Sequence, residues 1–204
     1  PDDGFGSALS IRGDVAIVGA PQHGRSGAAY ICSRNRFTDV WSEDTLIAAP
    51  SPFSNSAFGN AVVIDGESVL IGHPGTAESR GIVVEYTWDG TREVWTEQDR
   101  IAPRVREVGD LFGFSLTFRE NEMLVGAPGT DEGRGGVHRF VRNRSGDVWQ
   151  AVEIFSAPGG GPGFALGSTV AVGLNVAVAG APGADSGLGR AAVFSRPANG
   201  RWTV

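Results

Sequence analysis

The sequence predicts an all-β fold, a β-propeller array of four-stranded antiparallel blades, and three observations predict it. Phe5-Gly6, Phe58-Gly59, Phe112-Gly113 and Leu166-Gly167 recur at steps of 53, 54 and 54 residues. Each leads to a second landmark: Gly19-Ala20-Pro21, Gly72-His73-Pro74, Gly126-Ala127-Pro128 and Gly180-Ala181-Pro182. A fixed period near 50 residues marks a repeat architecture. Within each repeat the apolar residues fall in short β-branched runs between Gly, Pro and Asp, with no sustained helical period.

The first repeat shows the elements in order. Ser7 to Ile11 alternates small or apolar with polar residues, and Arg12-Gly13 supplies a turn. Asp14 to Val18 is a second strand, ended by Gly19-Ala20-Pro21 because proline cannot donate to a ladder. Gly27 to Ser33 is a third strand and Trp41 to Ile47 a fourth. The other repeats keep register. The third strand starts at Gly27, Gly81, Gly135 and Gly189, with Cys32, Tyr86, Phe140 and Phe194 at its sixth position. The fourth starts at Trp41, Trp95, Trp149 and Trp202. Asp89-Gly90, Ser145-Gly146 and Asn199-Gly200 supply turns between them. Four antiparallel strands in a repeat of this size are a propeller blade. The repeats run approximately over 1–50, 51–103, 104–158 and 159–204 of a single region, 1–204. The four blade tryptophans are expected in the core between sheets, since large rings bury much apolar area. Trp88 reads as lying in a turn without a counterpart in the other repeats, a candidate exposed aromatic.

Composition narrows the function classes. Hydrophobic residues are 41% and charged residues 20%, enough for a core and against bulk disorder. The 31 glycines and 11 prolines are periodic, so they read as tight turns. The net charge is −6 and no basic run stands out, which argues against nucleic acid as a partner. No apolar stretch approaches the ~18 residues of a membrane helix, so this stretch is not membrane-spanning. One cysteine, Cys32, allows no intrachain disulfide. The chain begins at Pro1, and a signal peptide is not visible.

Phe-Gly, Gly-Ala-Pro fourteen residues on, a Gly-x-x-Tyr-x-Phe-like strand and then Trp: this pattern resembles the FG-GAP repeat, which builds the propeller head of integrin alpha subunits and of many bacterial surface proteins. The resemblance covers almost the whole chain in four copies. It implies a propeller, usually seven-bladed, used for adhesion or protein contact at the cell surface or outside the cell, the periplasm included. Integrin-type blades often carry an Asp-x-Asp-x-Asp-Gly calcium loop. Here the matching stretches are Ser10 to Asp14, Ile64 to Glu67, Arg119 to Glu122 and Val172 to Asn175, with at most two acids each. Calcium takes about 6–8 oxygens, so that metal site does not carry over, and no cofactor is expected. Four repeats also fall short of seven. Pro1 aligns with Pro50, Pro103 and Pro158, while Thr203 and Val204 follow Trp202 where the first repeat continues from Ser42 to Ala49. The reading is a stretch of a longer, seven-bladed propeller. A closed four-bladed ring, or two chains pairing to eight blades, are the alternatives.

Candidate binding residues lie where the repeats differ. The loops after Gly-Ala-Pro vary most and are Gly-rich and polar, as binding loops on a rigid frame often are. They offer His23, Arg25, Asp131, Glu132 and Asp185 as contact residues, joined by Trp88. Asp131, Glu132 and Asp185 are also weak metal candidates; two carboxylates in a loop are few for calcium. Arg12-Gly13-Asp14 spells a tripeptide that many integrins bind, but its register slot is an ordinary hairpin turn. His23, His73 and His138 fall at different repeat positions and form no metal or triad spacing. His73 and His138 read as hydrogen-bonded structural residues, and Cys32 as a buried inert thiol. Gly159 to Gly163 lacks the Lys and the helix of a phosphate loop.

Three function classes follow. The first is a non-catalytic binding or structural module, contacting a protein partner or the remaining blades of a longer chain in an extracellular or surface assembly. The second is a lectin-like propeller that holds a glycan in pockets between blades, which exposed aromatics such as Trp88 would support. The third is an accessory domain of a larger secreted enzyme. The residues carry no catalytic constellation, so the reading is not an enzyme.

Overall fold

The computed structural model describes residues 2–50, 55–66, 68–142, 148–197 and 202–203. The turns at Ser145-Gly146 and Asn199-Gly200, the Glu67 position and both terminal residues, Pro1 and Val204, lie outside the described residues.

The fold is all-β, with antiparallel sheets built as propeller blades. The first sheet holds β1 (Ala8–Arg12), β2 (Val15–Ala20), β3 (Ala28–Arg34) and β4 (Trp41–Ala48) in that order. The second holds β5 (Val62–Asp65), β6 (Ser68–His73), β7 (Ile82–Asp89) and β8 (Val94–Ile101). The third holds β9 (Ser115–Arg119), β10 (Glu122–Ala127), β11 (Gly136–Arg142) and β12 (Trp149–Phe155). The fourth holds β13 (Thr169–Val172), β14 (Val176–Ala181) and β15 (Arg190–Ser195). There Thr203 exchanges two backbone bonds with Ser195, at 2.7 and 2.8 Å, where a fourth strand would pair. The chain falls into two compact units, Pro1–Ala102 and Pro103–Val204, with two sheets each.

The two repeat landmarks bond to each other. The second residue of each Phe-Gly pair donates its N–H to the glycine carbonyl of the same blade's Gly-Ala-Pro: Gly6 to Gly19, Gly59 to Gly72, Gly113 to Gly126 and Gly167 to Gly180, at 3.0 to 3.2 Å. The following blade then docks on the same glycine. A Cβ on Gly19 would stand 2.0 Å from the Gly59 carbonyl oxygen, and one on Gly126 would stand 1.9 Å from that of Gly167. Only hydrogen fits, so the glycine permits backbone-to-backbone blade packing. Parallel bridges Gly27–Phe58 and Gly135–Leu166 complete each junction.

Apolar faces close around these junctions. In the first unit Phe58 lies among Ile17, Ile31, Ile64, Ile71 and Val84; in the second Leu166 lies among Leu124, Val137, Phe155 and Phe194. Polar bonds cross between sheets as well. Ile64 N–H donates to Ser10 Oγ at 3.1 Å, and Ser115 Oγ donates to the Gly167 carbonyl at 2.7 Å.

Two expectations about tryptophan need correction. Trp149 and Trp202 are 7% exposed and Trp95 packs on the first core, but Trp41 is 41% exposed. Its cross-strand partner Arg34 is drawn to Asp39 at 2.7 Å and Asp14 at 3.9 Å rather than over the ring. Trp88 is not in a turn. It lies in β7, paired with Trp95, because the strand runs on to Asp89. Asp89 then makes the turn, its carboxylate accepting from the Thr91 and Arg92 N–H groups. Cys32 is half-buried rather than buried, since its smaller side chain leaves room that Tyr86, Phe140 and Phe194 fill in the other sheets. Burial, with Glu43 and Asp44 nearby, pushes its thiol pKa up, so it stays protonated.

Candidate binding site

The loops after Gly-Ala-Pro share one backbone. In three of them two successive non-glycine residues are left-handed: Ala77 and Glu78, Asp131 and Glu132, Asp185 and Ser186. Each such residue costs roughly 1–2 kcal/mol of backbone strain. In the third blade's loop, carbonyls from the strained residues onward accept from the following blade. Gly163, Ala165 and Leu166 N–H groups donate to Glu132, Gly133 and Arg134. In the shorter first loop, Asn55 and Phe58 donate to Arg25 and Ser26, both at 2.8 Å. The first and third loops are therefore braced against the following blade. The left-handed residues stay exposed.

Their side chains are already engaged. Asp131 meets Arg134 at 3.1 Å, with Glu132 at 3.9 Å from the same guanidinium, and Asp185 meets Arg190. Among the described residues no group of three or more His, Cys, Asp or Glu is arranged to hold a metal ion. His23 Nδ1 lies 2.9 Å from Asp3 Oδ2 and 3.2 Å from the Tyr30 hydroxyl, and its ring stands edge-on to Tyr30. Arg25 is exposed, makes no ion pair among the described residues, and borders a polar groove of about 300 Å³ with Gln22, Asn55 and Asn60. Arg12 and Asp14 are likewise engaged, Arg12 with Asp65 at 2.7 Å and Asp14 with Arg34 and Arg36.

His73 and His138 are structural, but hydrogen bonding is not what holds His73. Its ring is fully buried, stands edge-on to Phe58 at 5.3 Å, and finds no hydrogen-bond partner for either nitrogen among the described residues. Burial, helped by the Arg100 charge, lowers its pKa to about 4. His138 stands edge-on to Phe112 at 5.2 Å, and burial lowers it to about 4 against an opposing pull from Asp110. Both are neutral at pH 7.

The clearest difference between repeats lies at the sheet junctions. In the first unit the junction holds an opening of about 360 Å³, lined by Val15 and Ile31 of the first sheet and by Trp88 and Trp95 of the second. The second unit has the corresponding opening, about 330 Å³, with Glu122, Arg139 and Arg196 in the slots of Val15, Ile31 and Trp88. There the lining charges pair with one another. Arg139 Nε donates to Glu122 in a short contact, and Arg196 reaches the other Glu122 oxygen at 3.5 Å. Arg196 also lies over Trp202 at 4.8 Å, as Arg142 lies over Trp149 at 4.3 Å. The slot that the notable tryptophan occupies is thus arginine in the other three repeats: Arg34, Arg142 and Arg196. The signal was available as the eighth residue from each third-strand glycine. Ending that strand at Ser33 hid it.

The FG-GAP repeat family model matches residues 1–32 and 95–140. A search of curated proteins gave no match.

Proposed function

Because this chain belongs to the FG-GAP repeat family of β-propellers, we propose that it is a non-catalytic binding and structural region that contacts protein partners from the cell surface or outside the cell. Repeats of this family are typical of extracellular adhesion or binding modules. One observation carries the reading here. The loops of the second, third and fourth blades present the same strained backbone with different exposed side chains: Ala77 and Glu78, Asp131 and Glu132, Asp185 and Ser186. Strain held constant while chemistry varies suits display to a partner. Among the described residues no helix is long and apolar enough to cross a membrane.

The test places a photo-crosslinking residue at Glu132 or Asp185 in the full chain, with Val152 on an exposed strand as the control. The chain is then exposed to intact cells and their secreted fraction. Crosslinks concentrated at the loop positions support the reading. Equal yields at Val152 would count against it.

A further inference from the structure

We infer that the junction opening of the first unit is a subsite for one neutral pyranose ring of a glycan. Its volume, about 360 Å³, falls in the range of small-molecule sites. A pyranose has an apolar C–H face and a rim of hydroxyls, and the pocket has both complements. Trp88, 37% exposed and at 5.6 Å and 56° to Trp95, lines the opening together with Val15 and Ile31. Aromatic faces of this kind offer a large, rigid apolar platform. Ser33 and Thr45, cross-strand partners of Val15 and Ile31, add hydroxyls to the lining, and Asp44 adds a carboxylate.

Asp44 is placed there by a register shift. Ile31 pairs with Thr45 and Cys32 with Glu43, which leaves Asp44 as the extra residue of a β-bulge. Bulges re-aim a side chain out of the ladder. The same shift in the second and third sheets leaves Gln98 and Val152 in that place, so the acid is particular to this junction. Ser42 Oγ already donates to Asp44 at 3.1 Å, and the remaining lone pairs suit adjacent sugar hydroxyls. No Arg or Lys is among the described residues that line the pocket. An acidic sugar would therefore meet Asp44 without a countercharge. An apolar peptide side chain would use the tryptophans and leave the carboxylate and hydroxyls unanswered; a neutral pyranose uses all of them.

The second unit shows what the pocket would look like without this role. Its slots are charged and satisfy one another. The stacked Arg196 also occupies the tryptophan-side position that Trp88 holds here.

The experiment titrates the full chain, by tryptophan fluorescence and calorimetry, with methyl pyranosides and β-linked disaccharides of glucose, galactose, mannose and N-acetylglucosamine. Glucuronic acid and N-acetylneuraminic acid are the charged probes, and a proline-rich decapeptide is the peptide probe. At least one neutral saccharide is expected to shift the emission saturably and to bind at least about tenfold more tightly than the charged probes. Trp88→Ala should weaken it about tenfold or more. Trp88→Arg installs the residue of the other three repeats, so it should fold and also abolish binding, while Trp41→Ala should leave binding unchanged. Absence of binding by every neutral saccharide overturns the inference, as does binding that survives Trp88→Arg. Saturable binding of the decapeptide with no saccharide bound would also overturn it, in favour of a peptide groove. None of these outcomes touches the loop crosslinks, so this inference and the protein-contact reading fail separately.

Discussion

Trp88 faces Trp95 across the β7–β8 pair with ring centroids 5.6 Å apart, in the place where the third and fourth sheets stack arginine on tryptophan. One register slot thus takes two chemistries on the same frame. Where the arginine stacks, in the third and fourth sheets, its ring is covered: Trp149 and Trp202 are each 7% exposed. The tryptophan version leaves an indole at the surface. A substitution series should read this gradient. Trp149→Ala is expected to cost about 3–5 kcal/mol, as for a large buried aromatic. Trp41→Ala, at a ring 41% exposed, should cost under about 1 kcal/mol. Trp88→Ala should fall between, at about 1–2 kcal/mol, because it loses a ring pair but little core. Urea unfolding of the three variants checks the order; equal losses at Trp41 and Trp149 would refute it.

The glycine of Gly-Ala-Pro is held by approach, not by conformation. At Gly126 an added Cβ would press 1.9 Å from the Gly167 carbonyl and 2.2 Å from Ser115 Oγ. Gly13 has the opposite situation: open space around it but a φ of +61°. Gly126→Ala should therefore force the blades apart and cost about 3 kcal/mol or more, at the upper end for overpacking. Gly13→Ala should cost only about 1 kcal/mol of local strain. Thermal melts of both variants test this. A milder loss at Gly126 than at Gly13 would mean that the blade junction is softer than its geometry.

Most of the frame was legible in the sequence, and its failures have physical causes. Phase-locked Phe-Gly and Gly-Ala-Pro pairs reveal blades because each landmark bonds to the other and to the neighbouring sheet. Strand positions followed from β-branched runs such as Val15 to Val18. The loop backbones were not legible, because nothing in Asp131-Glu132 or Ala77-Glu78 announces a left-handed conformation. Asp131 and Asp185 looked available for a ligand, yet Arg134 and Arg190 sit within reach at short sequence separation. A pocket between blades with Trp88 was anticipated, but not its lining by Asp44, which a bulge selects, nor the placement of Trp88 by strand pairing rather than by a turn.

The buried histidines should make stability depend on pH. Both have folded pKa values near 4, below the usual 6.5, because burial disfavours the imidazolium. The unfolded chain binds the proton more tightly. The stabilising contribution is thus fully present above about pH 6.5 and is lost as pH falls toward 4. Each histidine should account for on the order of 1–3 kcal/mol over that window. His73→Leu with His138→Leu is expected to flatten the fall in unfolding free energy between pH 6.5 and 4, leaving only the carboxylate share at lower pH. A fall as steep as in the parent chain would show that the histidines are more hydrated than their burial implies.

The last expectation concerns the charged junction of the second unit, where the molecule supplies its own control. Glu122 and Arg139 have side chains only 9% and 13% exposed, and Arg196 completes the cluster. Removing one member leaves an uncompensated buried charge. Glu122→Ala should therefore destabilise by about 3–5 kcal/mol. Removing all the charges together is a different change, since well-packed apolar residues in place of a buried ion cluster are often neutral or stabilising. The first unit already carries that apolar set in the same slots, as Val15, Ile31 and Trp88. The triple variant Glu122→Val, Arg139→Ile, Arg196→Trp should regain most of what Glu122→Ala loses. Chemical denaturation of the parent, the single and the triple variant decides it. A triple variant as unstable as the single would show that the ion cluster, and not the shape of the junction, holds these two sheets together.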